Sequence, residues 1–226
     1  MAERIQAEVN RVVENRQADK RHWFVSLFLV TLLTGCGEKI RLELLPANTT
    51  VLAFGDSVTY GTGAARGEDY PSLLEETTGW TVVNAGIPGD TAREARDRLA
   101  PLLAQHQPAL VIIELGGNDF LRKYSTESVK ESLRDVVRQS LAAGAVTVLV
   151  AVPQFSLLRA TAGALNDSAI YGELAKEEGV LLVADVFSDV LSQEGLRADP
   201  IHPNAAGYEQ MTRDLVALFT QWGLLL

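Results

Sequence analysis

The chain carries, just after its first fifth, the stretch Val51-Leu52-Ala53-Phe54-Gly55-Asp56-Ser57, in which a short apolar run ends on small and polar residues. Four consecutive apolar residues followed by turn-forming residues predict a strand that is buried on both faces. Two later apolar runs end in the same way, one before Gly86-Ile87-Pro88-Gly89-Asp90 and one before Gly116-Gly117-Asn118-Asp119. This recurrence indicates that several strands of one sheet finish on residues suited to chemistry.

Strand-like and helix-like segments alternate along the rest of the sequence. Strands are predicted at residues 51–54, 81–84, 110–115, 147–152 and 180–184. Helices are predicted at residues 70–77, 91–105, 125–143, 166–178 and 204–222. Such alternation predicts an α/β fold in which a five-stranded parallel sheet lies between two layers of helices. In such folds the functional site lies outside the carboxyl ends of the strands.

Polar and small residues follow the first three predicted strands. Ser57, Gly89 and Asn118 are therefore all expected at the same edge of the sheet. A fourth block, Asp199-Pro200-Ile201-His202-Pro203, lies near the end of the chain. A serine, an asparagine and an Asp-x-x-His block together are the residues that a serine hydrolase needs.

A serine hydroxyl becomes a useful nucleophile only when a base removes its proton, and the usual base is histidine, which titrates near neutral pH. Of the three histidines, His22 lies in the N-terminal segment and His106 at the polar end of a predicted helix, which leaves His202 as the candidate base. Asp199 lies three residues before it, a spacing that can bring the carboxylate to the imidazole Nδ1. Ser57 is therefore the candidate nucleophile.

Acyl transfer also requires hydrogen-bond donors for the negative charge that develops on the carbonyl oxygen. The backbone N–H groups of Ser57 and Gly89 and the side-chain amide of Asn118 are suitable donors. The sequence contains no Walker-type phosphate loop and no HExxH metal motif, and one cysteine is too few for a four-cysteine zinc site. We therefore predict a reaction that uses no cofactor and no metal ion.

A nucleotide-binding module is a second interpretation of the chain. Gly61-Thr62-Gly63 resembles the start of a dinucleotide-binding fingerprint. Against this, Arg66 stands where that fingerprint has glycine or alanine, and the segment lies well past the end of the first strand. The formal net charge of -9 disfavours nucleic acid as a partner, because phosphate backbones are bound by basic surfaces.

The N-terminal segment resembles the leader of an exported protein. An apolar run at residues 23–33 follows Lys20-Arg21 and leads into Leu33-Thr34-Gly35-Cys36. The run is too short to span a bilayer but suits the hydrophobic region of a signal peptide. Its end resembles the lipobox of bacterial lipoproteins, in which the cysteine receives the lipid.

From this leader we predict a signal peptide at residues 1–35, a lipid-modified Cys36, a tether at residues 36–49 and a hydrolase domain at residues 50–226. The protein would then lie on the periplasmic side of a bacterial membrane, and Gly37 after the cysteine favours the outer membrane. Two alternatives stay open, namely a soluble periplasmic protein and an uncleaved N-terminal anchor with an incidental cysteine. The start of the leader is longer and more acidic than usual, which a true start near residue 12 or 13 would explain.

The four blocks resemble those of the SGNH, or GDSL, hydrolase family, and the match spans residues 50–208, nearly the whole predicted mature chain. The resemblance implies a flavodoxin-like three-layer fold and metal-free hydrolysis through an acyl-serine intermediate. In that family the matching residues act as nucleophile (Ser57), base (His202), orienter of the base (Asp199) and oxyanion donors (Ser57, Gly89 and Asn118).

Longer runs at residues 83–91 and 114–119 are similar to the bacterial thioesterase I, lysophospholipase and arylesterase subgroup. This similarity implies acyl esters or thioesters as substrates, such as acyl-CoA, lysophospholipids and aryl esters. Apolar residues at 120–121 and 152–158 are candidate walls for an acyl chain. The open alternatives are a carbohydrate O-deacetylase on the same fold and a non-catalytic lipoprotein that binds lipid or glycan.

Overall fold

The computed structural model describes residues 42–154 and 165–226, so the predicted signal peptide, Cys36 and residues 155–158 lie outside the described residues. The strands are β1 Thr50–Gly55, β2 Thr81–Gly86, β3 Leu110–Glu114, β4 Val146–Val150 and β5 Leu181–Val183. The helices are α1 Ser57–Tyr60, α2 Tyr70–Thr78, α3 Ala92–His106, α4 Gly117–Leu121, α5 Thr126–Ala142, α6 Ala169–Glu178, α7 Val186–Ser192 and α8 Ala205–Gln221, with a 3₁₀ turn at Glu194–Leu196. Among these helices, none is long and apolar enough to cross a membrane.

The five strands form one all-parallel sheet in the order β2-β1-β3-β4-β5. Helices α3, α5 and α6 pack against one another in one layer, and α2, α7 and α8 form the other. This is the flavodoxin-like three-layer fold that the sequence predicted. The strand order changes direction between β1 and β3, and this change opens a crevice at their carboxyl ends.

The central strands are buried on both faces. Leu52 and Phe54 in β1 and Ile112 in β3 are inaccessible to solvent. Each large apolar side chain contributes about 1.5–3 kcal/mol to stability when it is buried in this way. The packed sheet therefore gives the residues that follow β1 and β3 a rigid support.

Two glycines let α1 approach the sheet closely. A Cβ atom on Gly55 would overlap Thr59 Oγ1, and a Cβ atom on Gly86 would overlap the backbone of Tyr60. Because Gly55 and Gly86 place no side chain between the sheet and α1, this helix can begin directly at the carboxyl end of β1. Ser57 is therefore the first residue of α1.

The predicted strands and long helices are all present, with bounds that differ by up to three residues. The largest difference is at α6, which begins at Ala169 because Asp167 forms an antiparallel bridge with Pro153. The sequence did not predict α1, α4 and α7, which span 4, 5 and 7 residues. Helices of this length contain too few turns to produce a periodic apolar pattern.

Residues 42–49, which the sequence assigned to the tether, pack against the described domain. The Leu45 N–H donates to the Leu224 carbonyl oxygen at 3.0 Å, and Trp80 Nε1–H donates to the Leu45 carbonyl oxygen at 3.2 Å. The Asn48 N–H donates to the Gly79 carbonyl oxygen at 2.7 Å. These contacts lie beside the amino ends of β1 and β2, at the edge of the sheet opposite Ser57.

Candidate active site

Ser57 is placed by the turn that joins β1 to α1. Asp56 caps this helix, because its Oδ1 accepts a hydrogen bond from the Val58 N–H at 3.1 Å. Since Ser57 is the first residue of the helix, its own N–H has no acceptor within the helix. Ser57 Oγ lies 3.0 Å from His202 Nε2, although 145 residues separate them in sequence.

The loop before α8 holds the histidine. The Ala198 N–H donates to the His202 carbonyl oxygen at 2.9 Å and closes the loop. His202 Nδ1 lies 2.7 Å from Asp199 Oδ2. Asp199 Oδ1 accepts from the N–H groups of Ile201 at 2.8 Å and His202 at 2.9 Å. The backbone therefore fixes the carboxylate in the position where it meets the imidazole.

Asp199 is ionised at neutral pH. Partial burial raises the pKa of this carboxyl, but hydrogen bonds from the His202 ring and from two backbone N–H groups outweigh burial, so the pKa lies below its ordinary value. The ring nitrogen that faces Asp199 therefore carries the proton, and Nε2 is left to accept one from Ser57. The three predicted residues are thus brought together as one hydrogen-bonded chain.

The predicted oxyanion donors lie at the same edge of the sheet but differ in their present partners. Gly89 has a φ angle of 84°, and its N–H has no acceptor within the described part of the chain. The Asn118 amide has two acceptors, because Nδ2 lies 2.9 Å from Asp56 Oδ2 and 3.0 Å from the Asp90 carbonyl oxygen. The backbone donors are therefore free for a substrate oxygen, whereas the Asn118 amide is engaged.

Two buried carboxyl groups beside Ser57 were not among the predicted site residues. Burial raises the pKa of Asp56 to about 6, despite the hydrogen bonds that it accepts. Glu114, at the end of β3, accepts a hydrogen bond from Thr59 Oγ1 at 3.1 Å. Burial, together with the charge of Asp56, raises the pKa of Glu114 well above its ordinary value. The only sequence signal for this group is a lone glutamate at the end of an apolar strand.

A small pocket opens to solvent beside Ser57. In addition to the polar site residues, it is lined by the apolar side chains of Leu121, Phe187 and Ile201. Of the predicted acyl-chain walls that the structure describes, Leu121 lines this pocket, whereas Phe120 and residues 152–154 do not. Sequence reasoning missed Phe187, which belongs to the short helix α7, and Ile201, which lies inside the Asp-x-x-His block.

The remaining candidates from the sequence lie elsewhere or have other roles. His106 ends α3 just before the amino end of β3, at the edge opposite Ser57. A Cβ atom on Gly63 would overlap the Pro203 carbonyl oxygen, so the glycines after α1 allow close packing against the histidine loop. Among the described residues, no three His, Cys, Asp or Glu side chains form a group that could hold a metal ion.

Comparison with known proteins agrees with this geometry. The sequence profile of the GDSL-like Lipase/Acylhydrolase family matches residues 53–210, which is more than half of the chain. The chain belongs to this family. The GDSL hydrolase is 38% identical over 165 residues to "Thioesterase 1/protease 1/lysophospholipase L1" of Escherichia coli (strain K12), a match that covers 70% of this chain and 77% of the relative.

Two further likenesses extend over most of the GDSL hydrolase. Esterase TesA of Pseudomonas aeruginosa is 33% identical over 193 residues, covering 81% of this chain and 94% of the relative. The crystal structure of the psychrotrophic esterase EstA from Pseudoalteromonas sp., inhibited by monoethylphosphonate, superposes with a TM-score of 0.66 at 26% identity, covering 77% of this chain and 98% of that one. The predicted family and fold are confirmed, and the GDSL hydrolase acts on ester bonds.

Proposed function

We propose that this GDSL hydrolase cleaves acyl esters and thioesters through an acyl-enzyme intermediate on Ser57. The observation that carries the proposal is the chain from Ser57 Oγ through His202 to Asp199, with distances of 3.0 and 2.7 Å. His202 takes the serine proton as Oγ attacks the acyl carbon, and then gives it to the leaving oxygen or sulfur. Asp199 orients the ring and stabilises the imidazolium.

The free N–H groups of Ser57 and Gly89 stabilise the oxyanion that forms during this attack. The Asn118 amide serves as a third donor when the substrate oxygen replaces one of its present acceptors, Asp56 Oδ2 or the Asp90 carbonyl oxygen. Water then attacks the acyl-serine with His202 acting as base again, and the free acid leaves.

The apolar lining of the pocket supports acyl chains as substrates. The pocket is open to solvent beside Ser57, so a chain whose first carbons contact its lining can extend beyond it. Leu121, which is 39% exposed, and the partly exposed Ile201 provide apolar surface for such a chain, and Phe187 lies beneath them in the pocket wall. The words thioesterase and lysophospholipase in the name of the Escherichia coli relative support thioesters, such as acyl-CoA, and lysophospholipids as substrates.

A fluorophosphonate probe tests the nucleophile directly. The probe is expected to label the wild type once, and Ser57→Ala is expected to abolish both labelling and the hydrolysis of p-nitrophenyl esters. Ser128→Ala, on α5 and outside the pocket, is the control and should keep both. Labelling that persists in Ser57→Ala contradicts the assignment.

A substrate panel distinguishes an acyl-chain hydrolase from a carbohydrate deacetylase. The panel contains p-nitrophenyl esters of increasing chain length, acyl-CoA, lysophospholipid and acetylated sugars. We expect kcat/KM to rise with chain length on the p-nitrophenyl esters and to be low on acetylated sugars. A preference for acetylated sugars would favour the deacetylase instead.

We also propose that lipid on Cys36 anchors the protein at the periplasmic side of the outer membrane. The support is in the sequence, where the lipobox-like Leu33-Thr34-Gly35-Cys36 follows the short apolar run. One acyl chain binds membranes only marginally, whereas several chains anchor a protein stably. In a bacterial host the wild type should sediment with membranes, gain the mass of lipid and lose residues 1–35. Cys36→Ser should not be lipidated, and an unmodified wild-type thiol would contradict the proposal.

A further inference from the structure

We propose that Arg98 is a positioning residue for the oxyanion hole. Its guanidinium group fixes the ends of β1 and β2 and the loop that carries Gly89. This inference rests on the proposed role of Ser57, Gly89 and Asn118 as oxyanion donors. Arg98 lies on α3 and is not among the residues that line the pocket. Its effect on the reaction would therefore be exerted through the donors.

The guanidinium group of Arg98 makes hydrogen bonds in three directions. Nη2 donates to the Gly55 carbonyl oxygen at 2.8 Å, and Nη1 donates to the Ala85 carbonyl oxygen at 2.8 Å. Nε donates to Asp90 Oδ2 at 2.7 Å. The first contact is two residues before the serine, and the other two are on either side of Gly89. One side chain therefore ties together the backbone segments that carry both free N–H donors.

The third donor is reached through Asp90. Its side chain pairs with Arg98, while its carbonyl oxygen accepts from Asn118 Nδ2 at 3.0 Å. Its N–H donates to the Ile87 carbonyl oxygen at 3.1 Å and closes the loop around Gly89. A shift of Asp90 would therefore move the Asn118 amide and the Gly89 N–H together.

The surroundings of Arg98 suit a fixed group. Its side chain is 21% exposed and that of Asp90 is 8% exposed, and the guanidinium carbon lies 4.2 Å from the centre of the Phe54 ring. By contrast, Arg96 on the same helix is 37% exposed and pairs with two surface carboxylates. A planar guanidinium can donate to three acceptors at once in this geometry, whereas a lysine ammonium on a flexible stem cannot.

The test compares Arg98→Lys with Arg96→Lys, its matched control, in the hydrolysis of p-nitrophenyl butyrate. For Arg98→Lys we expect kcat to fall about 10- to 100-fold while KM stays within about twofold, because oxyanion donors act mainly in the transition state and are sensitive to displacement. A trifluoromethyl ketone, whose adduct with Ser57 places an oxyanion in the hole, should lose affinity by the same factor as kcat/KM. Arg96→Lys should leave all three quantities unchanged.

Asn118→Ala separates a failure of this inference from a failure of the proposed oxyanion hole. If Asn118→Ala lowers kcat and Arg98→Lys does not, the hole stands and Arg98 does not position it. If Asn118→Ala leaves kcat unchanged, Asn118 is not a donor, so the proposed three-donor hole is wrong and the inference that rests on it fails as well. A loss confined to KM, or an equal loss in Arg96→Lys, also overturns the inference.

A second variant covers the case in which Arg98→Lys does not fold. Asp90→Asn keeps the shape of the side chain but weakens its charged hydrogen bond to Arg98. We expect a smaller fall in kcat, of about 3- to 10-fold, with KM unchanged. An unchanged kcat in a folded Asp90→Asn protein would overturn the inference.

Discussion

Asp56 and Asp199 both lie beside the Ser57–His202 pair, but their surroundings give them opposite protonation behaviour. Burial raises the pKa of Asp56 to about 6. For Asp199, whose side chain is 47% exposed, partial burial raises the pKa, but hydrogen bonds outweigh this and hold the pKa below its ordinary value. In mildly acidic solution the carboxylate that contacts the His202 ring therefore keeps its charge, while the carboxylate that contacts the Asn118 amide begins to lose it.

Asp199→Asn is expected to lower kcat by about 10²–10⁴-fold, because an amide neither holds the imidazole in the required tautomer nor stabilises the imidazolium. KM should change little, since Asp199 does not line the pocket. Steady-state hydrolysis of p-nitrophenyl butyrate measures both constants. The control is Asp97→Asn, at a side chain that is 74% exposed on α3. A fall smaller than about tenfold would show that the backbone of the loop is enough to orient His202.

Glu114→Gln is expected to become more stable relative to the wild type as the pH rises. Because burial raises the pKa of Glu114 well above 4.5, the folded protein holds this proton more tightly than the unfolded chain does. The wild type therefore loses stability as the pH rises from the unfolded pKa towards the raised one, and the neutral amide does not. The measurement is Tm, variant minus wild type, between about pH 5 and about pH 8.

Glu76→Gln, at an exposed position on α2, is the control for this experiment. Its Tm difference from the wild type should be nearly independent of pH. If the Tm difference between Glu114→Gln and the wild type is equally independent of pH, the carboxyl of Glu114 titrates as it does in water.

Among the secondary-structure elements, α1 depends most visibly on its surroundings. A helix of 4 residues is too short to be stable alone, so its stability comes from the Asp56 cap and from packing on the sheet. Gly61, with a φ angle of 100°, ends the helix in the left-handed conformation. The position of Ser57 is therefore set by tertiary contacts of α1 and by very little of its own helical propensity.

Gly86→Ala tests the close approach of α1 to β2. The added methyl group would overlap backbone atoms of Thr59 and Tyr60, which cannot move unless α1 moves. We expect a loss of about 1–3 kcal/mol in the free energy of unfolding and a lower kcat, because Ser57 shifts with α1. Gly195→Ala meets no atom within 4 Å and should change stability by less than about 0.5 kcal/mol. Equal urea midpoints for the two variants would argue against a tight contact.

The long elements and the three catalytic candidates were predictable because they depend on local patterns and on the common edge of parallel strands. The short helices α1, α4 and α7 were not, since tertiary contacts rather than a repeating pattern stabilise them. The burial of Glu114 and the three contacts of Arg98 could not be predicted from the sequence either. Both depend on which side chains meet once β2, β1 and β3 lie side by side, and local sequence patterns do not specify such contacts.

At the scale of the described domain, the carboxyl and amino edges of the sheet carry different kinds of contact. The carboxyl edge carries Ser57 and the loop of His202. At the amino edge, the ring of Trp80 packs 5.7 Å from that of Phe219 and its Nε1–H holds Leu45 through the carbonyl oxygen. We therefore expect that contacts that stabilise the domain at the amino edge can change without disturbing the chemistry at the carboxyl edge.

Leu45→Ala and Leu44→Ala form a matched pair that tests whether the amino edge affects stability without affecting the reaction at the carboxyl edge. Leu45 packs against the core, whereas the neighbouring Leu44 is 46% exposed. We expect Leu45→Ala to lower the free energy of unfolding by about 1–2 kcal/mol and Leu44→Ala by less than about 0.5 kcal/mol. Because both lie far from Ser57 along the strands, kcat should be unchanged in each. A fall in kcat for Leu45→Ala, measured well below its Tm, would show that the two edges are coupled.

The hydrogen bond between Leu45 and Leu224 brings the first and last parts of the described domain side by side. A linker of a few residues could join residues 226 and 42 directly, so circular permutants with new ends in an exposed loop should keep the order of the strands. Both parts meet at the amino edge, about 17–20 Å, or one strand length, from the catalytic edge. A solid support or a fusion partner attached through either part would therefore leave the catalytic opening facing the solution.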